Sequence, residues 1–278
     1  MKPHRFEYVR ARSGDQAVAL LAELGPEARI LAGGQSLMAV MNMRLAQPSA
    51  LIDITRAEDL AYMRIEDGHL VIGAAVTQAQ VQERPTLESE VPLLAQVFPH
   101  ISHFQIRNRG TVCGSLAHAD PSAELPLALA ALGGSVVLRS RRRRRVLPAA
   151  EFFQGMLMTA REPDELVEAV RYPLARPGER FAFREFAQRH GDFAMASVAV
   201  AVSPDSWTVA VGGVADRPVA LRLKPMPEET LAKAINDFAW DLQAQDDHHA
   251  SAAYRRHLVR RLAAQALEEA GVNERERT

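Results

Sequence analysis

Residues 28–43 read Ala-Arg-Ile-Leu-Ala-Gly-Gly-Gln-Ser-Leu-Met-Ala-Val-Met-Asn-Met. An apolar stretch over 28–32 predicts a short strand, Gly33 and Gly34 a tight turn, and Ser36 a cap for a helix reaching Met43. Consecutive glycines behind a strand let the main chain approach an anion, and their N–H groups together with the start of the next helix can donate to phosphate oxygens. A tight turn alone explains such a pair equally well. A second stretch changes the balance. Arg107-Asn108-Arg109-Gly110-Thr111-Val112-Cys113-Gly114-Ser115-Leu116-Ala117-His118-Ala119-Asp120-Pro121 again combines glycines, hydroxyls and exposed main-chain donors, now beside arginines. Two such loops can grip both sides of a pyrophosphate. Neither is the Gly-x-Gly-x-x-Gly fingerprint or the Walker loop, so a Rossmann domain and a phosphate-loop nucleotidase are disfavoured.

Outward from these loops the pattern is α+β. Residues 13–24 carry an apolar stripe between a Ser13 cap and a Gly25 stop, and 51–54 read as a strand. Asp67-Gly68 between two apolar runs predicts a hairpin, and a second subdomain starts near here. Thr77 and Thr86 are expected to cap helices over 78–83 and 87–97, and Pro121 to begin a helix reaching 132, with Asp120 as its cap. Strands are expected at 135–138 and 145–147, and an antiparallel meander at 181–188, 197–202 and 207–211. Helices over 228–242 and 251–270 close the chain.

The 278 residues are 47% hydrophobic and 24% charged, which is globular composition, and 33 Lys plus Arg against 34 Asp plus Glu leave no basic surplus for nucleic acid or an anionic membrane. The start of the chain lacks the apolar core of a signal peptide, and no run approaches the roughly 20 apolar residues of a membrane span, so a cytoplasmic protein is expected. The single cysteine, Cys113, excludes an internal disulfide and any iron–sulfur cluster held by this chain, since a cluster takes about four protein ligands. Three further features have bland readings. Asp246-Asp247-His248-His249 fits a polar linker or helix cap better than a metal site, because adjacent histidines on a helix diverge by about 100°. The arginines at 139 and 141–145 fit a solvated loop, or a docking surface for an acidic partner. Cys113 reads as small-residue packing near a ligand rather than a nucleophile, with no base placed beside it. No hydrolase motif is present, and no catalytic side chain is nominated.

Together the two glycine segments, 32–37 and 106–121, resemble the FAD-binding medium subunit of the molybdenum hydroxylases, the carbon monoxide dehydrogenase and xanthine dehydrogenase family. Residues 189–194, 212–218 and 251–258 extend the match in the family's order over nearly the whole chain. The resemblance implies an FAD-binding domain of the vanillyl-alcohol-oxidase (PCMH) type at 1–176, with subdomains at about 1–56 and 57–176, then a domain at 177–278 with a small antiparallel sheet and a helical bundle. It implies that Ala32, Gly33, Gly34, Gln35, Ser36 and Leu37, with Thr111, Val112, Cys113, Gly114 and Ser115, cradle the FAD pyrophosphate. Asp120 and Glu124 would contact the adenosine side, and Asp192 and Phe193 would approach the isoalloxazine. Three positions depart from the family: Cys113 where Gly is common, Phe193 where some relatives have Tyr, and Ala39 where many have Pro.

The same resemblance implies partners: a large subunit with the molybdenum cofactor, which chooses the substrate, and a small subunit with two [2Fe–2S] clusters, in a heterotrimer or its dimer. Electrons would pass from the clusters through FAD to an acceptor that can be NAD, oxygen, quinone or a cytochrome. A stand-alone FAD-dependent oxidase or dehydrogenase of the same fold is the alternative; it requires an acid or base in the second domain. A nucleic-acid binder with vestigial loops is the reading from another class, which flavin absorbance would count against.

Overall fold

A computed structural model describes residues 2–272; Met1, where the signal-peptide reading begins, and residues 273–278, the end of the expected second domain, lie outside the described residues. In chain order the elements are β1 (Glu7–Arg10), α1 (Gly14–Leu24), β2 (Ala28–Leu31), α2 (Leu37–Asn42), β3 (Ala50–Asp53), β4 (Met63–Glu66), β5 (His69–Gly73), α3 (Gln78–Gln82), α4 (Leu87–Glu90), α5 (Pro92–Val97), α6 (Phe104–Arg107), α7 (Val112–His118) and α8 (Glu124–Leu132). There follow β6 (Ser135–Arg139), β7 (Arg144–Pro148), α9 (Ala149–Phe152), β8 (Phe153–Gly155), β9 (Met158–Thr159), β10 (Leu166–Pro173), β11 (Arg180–Phe186), β12 (Ala196–Val202), β13 (Trp207–Gly212), β14 (Val219–Leu223), α10 (Glu228–Asp241) and α11 (Ala252–Glu269).

The fold is α+β, as expected. β1, β3 and β2 form a parallel three-stranded sheet, and β4-β5-β10-β6-β7 an antiparallel five-stranded one. β11 to β14 form an antiparallel meander in sequence order, one strand longer than the sequence pattern indicates. Helix α8 lies between the last two sheets and is buried from Glu124 to Leu129 and again at Ala131. The meander separates two cores by alternation. Phe183, Ala199 and Ala210 face the core that contains α8, whereas Ala182, Val198, Val200, Val209 and Val211 face α10 and α11. Alanines on the α8 side allow helix and sheet to approach; valines on the other side fill the space beneath longer helices.

Local signals account for most boundaries. Ser13 Oγ accepts the Gln16 amide at 3.1 Å, and Gly25 with φ +80° ends α1. Thr77 and Gln80 form a reciprocal capping box on α3. Four expectations fail, two of them for a local backbone reason. Residues 87–97 are two helices, because Val91 precedes Pro92 and is held out of the helical region at φ −141° and ψ 73°. Thr86 and Ser36 make no side-chain capping bond. The helix expected from Pro121 begins at Glu124, since the Asp120 carboxylate accepts the Ser122 amide at 2.9 Å and closes a turn first.

Strand β10 escapes the sequence pattern because Glu168 and Arg171 interrupt its apolar run, yet it is the centre of the five-stranded sheet. A bulge between Val167 and Ala169 accommodates Glu168, which is buried. The arginine run explains how. Arg139 and Arg144 pair with Glu168 at 3.1 and 2.7 Å, and Arg143 and Arg145 with Glu165 at 3.6 and 2.7 Å. Burial works against the Glu165 carboxylate, but the bonds from Arg145 and the Glu162 amide outweigh it and hold its carboxyl below the usual range. The run is therefore solvent-facing, with Arg141 to Arg144 exposed, but Arg143, Arg144 and Arg145 reach back to neutralise two buried carboxylates, while Arg141 and Arg142 stand at the hairpin tip.

Candidate functional site

The chain leaves β2 at Leu31 and turns through Ala32 to Ser36 before α2, with Gly34 at φ +71°. Ala32, Gly33, Gly34, Gln35, Ser36 and Leu37 are all half-buried. A Cβ added to Gly33 would overlap the Arg109 carbonyl and lie 2.6 Å from Gly110 Cα. The two glycine loops thus meet main chain to main chain, and only glycine fits the junction. The Gln35 side chain folds back to donate to Gly33 O at 2.9 Å, bracing the turn.

The second loop is held from behind. The Gln78 amide donates to Gly110 O at 2.8 Å, and Thr77 and Thr111 form an isolated bridge. Thr111 Oγ1 accepts the Gly114 amide at 3.0 Å, and a Cβ at Gly114 would lie 2.7 Å from that oxygen. The side chains of Thr111, Val112 and Cys113 are buried in the core, while Gly114 and Ser115 stay half-exposed. What this half offers a ligand is main chain and the Ser115 hydroxyl. Arg107, inside the same segment, is not a free cation. Its Nη1 donates to Ile101 O at 2.6 Å and Ser102 O at 3.2 Å, and its Nε to Gln82 Oε1 at 2.9 Å.

The remaining candidates are not joined to this junction. Asp120, Glu124, Asp192 and Phe193 make no hydrogen bond or ion pair with either glycine loop among the described residues. Asp120 braces its own turn, and the next residue, Pro121, accepts the Gly213 amide at 2.8 Å. Asp192 pairs with Arg189 at 2.9 Å, which holds its carboxyl below the usual range, and Phe193 is 64% exposed, an aromatic face turned to solvent. Gly191, at φ +85°, lies where a Cβ would be 3.1 Å from Ser102 O. Glu124 is buried, and burial pushes its carboxyl up to about 7; its own amide and His100 oppose this, and Glu185 and Asp120 add to it.

A raised carboxyl holds its proton in the folded state, so stability is full below about 4.5 and falls as pH rises through about 7, by about 3 kcal/mol in total. Glu124→Gln is therefore expected to raise the urea midpoint of the FAD-free chain at pH 8 and leave it nearly unchanged at pH 5. Equal shifts at both pH values would contradict the assignment.

One residue that sequence reasoning missed organises the carboxy-terminal motifs. Arg255 is buried; its Nη1 donates to Met195 O and to Gly213 O, each at 2.6 Å, and its Nη2 to Asp247 Oδ2 at 2.6 Å. It joins Met195, directly after the 189–194 segment, and Gly213 of the 212–218 segment to the 251–258 segment. Its sequence signals are its place in the 251–258 segment and its position one helical turn past Ser251, and neither marks it as the joining residue. In the Asp246-Asp247-His248-His249 stretch, Asp247 also accepts the His249 and Ala250 amides at 2.8 and 2.9 Å, and Asp246 accepts that of Ala252 at 2.5 Å. These carboxylates tie a turn and start a helix.

Residues 4–175 match the model of the FAD binding domain in molybdopterin dehydrogenase, and residues 181–270 the CO dehydrogenase flavoprotein C-terminal domain. The chain belongs to the FAD-binding medium subunits of the molybdenum hydroxylases. It is 38% identical to the nicotine 6-hydroxylase medium subunit of Paenarthrobacter nicotinovorans over 98% of this chain and 99% of that one. It is also 39% identical to the caffeine dehydrogenase subunit beta of Pseudomonas sp. (strain CBB1), over 74% of this chain and 70% of that one. A chain of carbon monoxide dehydrogenase from Hydrogenophaga pseudoflava superposes with a TM-score of 0.91 at 33% identity, covering 97% of this chain and 98% of that chain. These names mark parts of multi-subunit oxidoreductases.

The residues of this medium subunit fit a dinucleotide at the loop junction. The meeting point is kept free of Cβ atoms, its donors are main-chain amides, and the nearby arginine side chain of Arg107 is already engaged. The departure at Cys113 does not alter that face. Its thiol points into the core, 3.5 Å from Ile72 O, and burial pushes it up to about 12. Iodoacetamide is expected to leave Cys113 of the native medium subunit unmodified at pH 8 and to label it after unfolding; rapid native labelling would contradict this burial. Ala39, the other departure near the first loop, is exposed on α2. Two open clefts of about 720 and 480 Å³, one beside Gly25 and Arg142 and one beside Phe153 and Arg217, include no residue of the glycine loops. Among the described residues no helix is long and apolar enough to cross a membrane, and no group of three or more acidic, histidine or cysteine side chains is placed to hold a metal.

Proposed function

We propose that this medium subunit is the electron-transfer subunit of a molybdenum hydroxylase, receiving electrons from [2Fe–2S] clusters of a small partner and delivering them to an external acceptor. FAD, when bound, supplies the conversion between single-electron and two-electron transfer. The chain's own residues do the rest. Ala32 to Leu37 and the main chain of Thr111, Val112, Cys113, Gly114 and Ser115 hold the pyrophosphate; Asp120 and Glu124 lie on the adenosine side; Asp192 and Phe193 lie toward the isoalloxazine. The carrying observation is the direct main-chain junction of two glycine loops, at Gly33 and Gly110, inside a domain of the FAD-binding family.

The single cysteine supports the division of labour, because the chain has no ligand set for a cluster and Cys113 is buried. A larger subunit would carry the molybdenum cofactor and choose the substrate, in a heterotrimer or its dimer. We divide the chain into an FAD domain at 1–176, with subdomains at about 1–56 and 57–176, and a second domain at 177–278; the two family matches meeting between 175 and 181 support the division.

Native purification tests the proposal. One larger molybdenum-containing chain, one smaller cysteine-rich chain and about one FAD per copy are expected. A native protein that runs alone and carries no flavin would overturn it. Reduction of the FAD-loaded chain by an organic substrate without partners would favour the stand-alone oxidase instead.

A further inference from the structure

The loop from Arg189 to Phe193 is rooted on β11, and contacts behind it converge on one histidine. His100 closes a short 3-10 turn, Phe98–His100, between α5 and α6. Its Nδ1 lies 3.0 Å from Glu185 Oε1, its ring stands edge-on to Phe183 at 5.0 Å, and His190 of the loop is 5.6 Å away, ring to ring. The Glu185 side chain is only 5% exposed, and its second oxygen, Oε2, is buried without a hydrogen-bond partner. A carboxylate so placed is costly unless a cation balances it. Next in the chain, Ser102 at φ +42° supports Gly191, and Arg107 pins the carbonyls of Ile101 and Ser102. An unbroken run of contacts therefore leads from the second glycine loop, through Arg107, Ser102 and His100, to the Arg189–Phe193 loop.

We propose that His100 and Glu185 form a proton-dependent clamp that positions the Arg189–Phe193 loop: with His100 protonated the pair fastens the loop's root to the Phe98–Ser102 turn, and with His100 neutral the loop is released. The relevance of this clamp to the flavin rests on the reading that the loop faces the isoalloxazine. The groups facing His100 are Glu185 of β11, Glu124 of α8 and His190 of the loop; Arg184, beside Glu185 on β11, points the other way and pairs with Glu269 of α11 at 2.8 Å. The Glu185 hydrogen bond pushes His100 up from its ordinary value; burial opposes it, the charges of Glu185 and Glu124 add to it, and Arg184 opposes it. A raised cation stabilises below about 6.5 and loses that stabilisation as pH rises through the folded value, so the clamp opens on the alkaline side.

Arg189 is 82% exposed, and trypsin cleavage after it reports loop release. In the FAD-free full chain, cleavage at Arg189, normalised to a small peptide substrate, is expected to rise about tenfold from pH 6 to pH 9, the opening that loss of one charge-assisted hydrogen bond permits. His100→Gln and Glu185→Gln are expected to cleave fast at every pH, with circular dichroism confirming that each is folded. A flat wild-type profile overturns the clamp, and so does a folded His100→Gln that keeps the wild-type profile. The FAD-loaded chain separates this from the flavin reading. A visible flavin band that follows the same pH profile, and is altered by Phe193→Leu, supports both. A pH-dependent cleavage with a flavin band unmoved by pH and by Phe193→Leu keeps the clamp and overturns the placement of the loop at the isoalloxazine.

Discussion

Gly33→Ala is expected to lose FAD at least 100-fold while keeping native secondary structure. The added Cβ would lie 2.6 Å from Gly110 Cα and overlap the Arg109 carbonyl, whereas non-bonded carbons settle at about 3.5–4.0 Å. Both obstacles are main chain, so no side chain can swing aside, and the loops must part by roughly 1 Å. On the proposed placement of the pyrophosphate, amides from both loops cannot all follow that movement. A hydrogen bond to a charged group contributes about 1.5–3 kcal/mol, so misplacing two costs about 3–6 kcal/mol, which is a factor of 100 or more in affinity. Gly178→Ala is the control: its φ of +82° strains any side chain, but the nearest heavy atom to a Cβ is 4.0 Å away. That variant should lose about 1–2 kcal/mol of stability and keep its flavin. Flavin absorbance after gel filtration, with circular dichroism on the same samples, makes the measurement. Full flavin in Gly33→Ala would move the pyrophosphate away from this junction.

Arg255→Met is expected to destabilise the carboxy-terminal part of the chain by about 3–5 kcal/mol. The substitution preserves much of the stem's apolar contact but leaves the carbonyls of Met195 and Gly213 without their donor, and Asp247 without its buried cation. Met195 and Gly213 are half-buried, so each carbonyl that loses its donor costs toward the lower end of about 1–3 kcal/mol, and the loss of the buried guanidinium from beside Asp247 adds to it. Arg255→Lys should recover less than half, because a single ammonium cannot reproduce a planar fork spanning two carbonyls and a carboxylate. The two tryptophans, Trp207 in β13 and Trp240 in α10, both report on this region. Urea unfolding followed by their fluorescence gives the midpoint. An unchanged midpoint would show that other contacts hold the three segments together.

The sequence was legible where the physics is local. Gly25, Gly34 and the Asp67-Gly68 pair occupy positive φ, Ser13 and Thr77 cap as their side chains permit, and alternation reveals three of the four meander strands. β14 carries a half-buried strand's alternation, Val219, Leu221 and Leu223 against Ala220 and Arg222, and was overlooked, and β1 was missed because Glu7 and Arg10 flank only two large apolar residues. Asp120 misled because it carries two local meanings, helix cap and turn, and the neighbouring backbone chose the turn; at 87–97 the break before Pro92 was passed over. In the candidate site, the glycine segments were visible as motifs, but the side chains within the second one were not assignable. Helix α7 turns Val112 and Cys113 into the core and leaves Gly114 and Ser115 outside, an outcome of which face packs against β5 and β10.

By itself, the sequence determined the α+β class, the two glycine turns, the absence of cluster ligands and the family, because these depend on residue type and on spacing over a few positions. Only the tertiary structure decided that Gly33 faces the Arg109–Gly110 main chain, that the arginine run neutralises Glu165 and Glu168, that Arg255 joins three distant segments, and that His100 meets Glu185. Each of these is a contact between residues far apart in the chain. Its strength comes from desolvating charge or excluding a Cβ, and neither exists until packing brings the partners together.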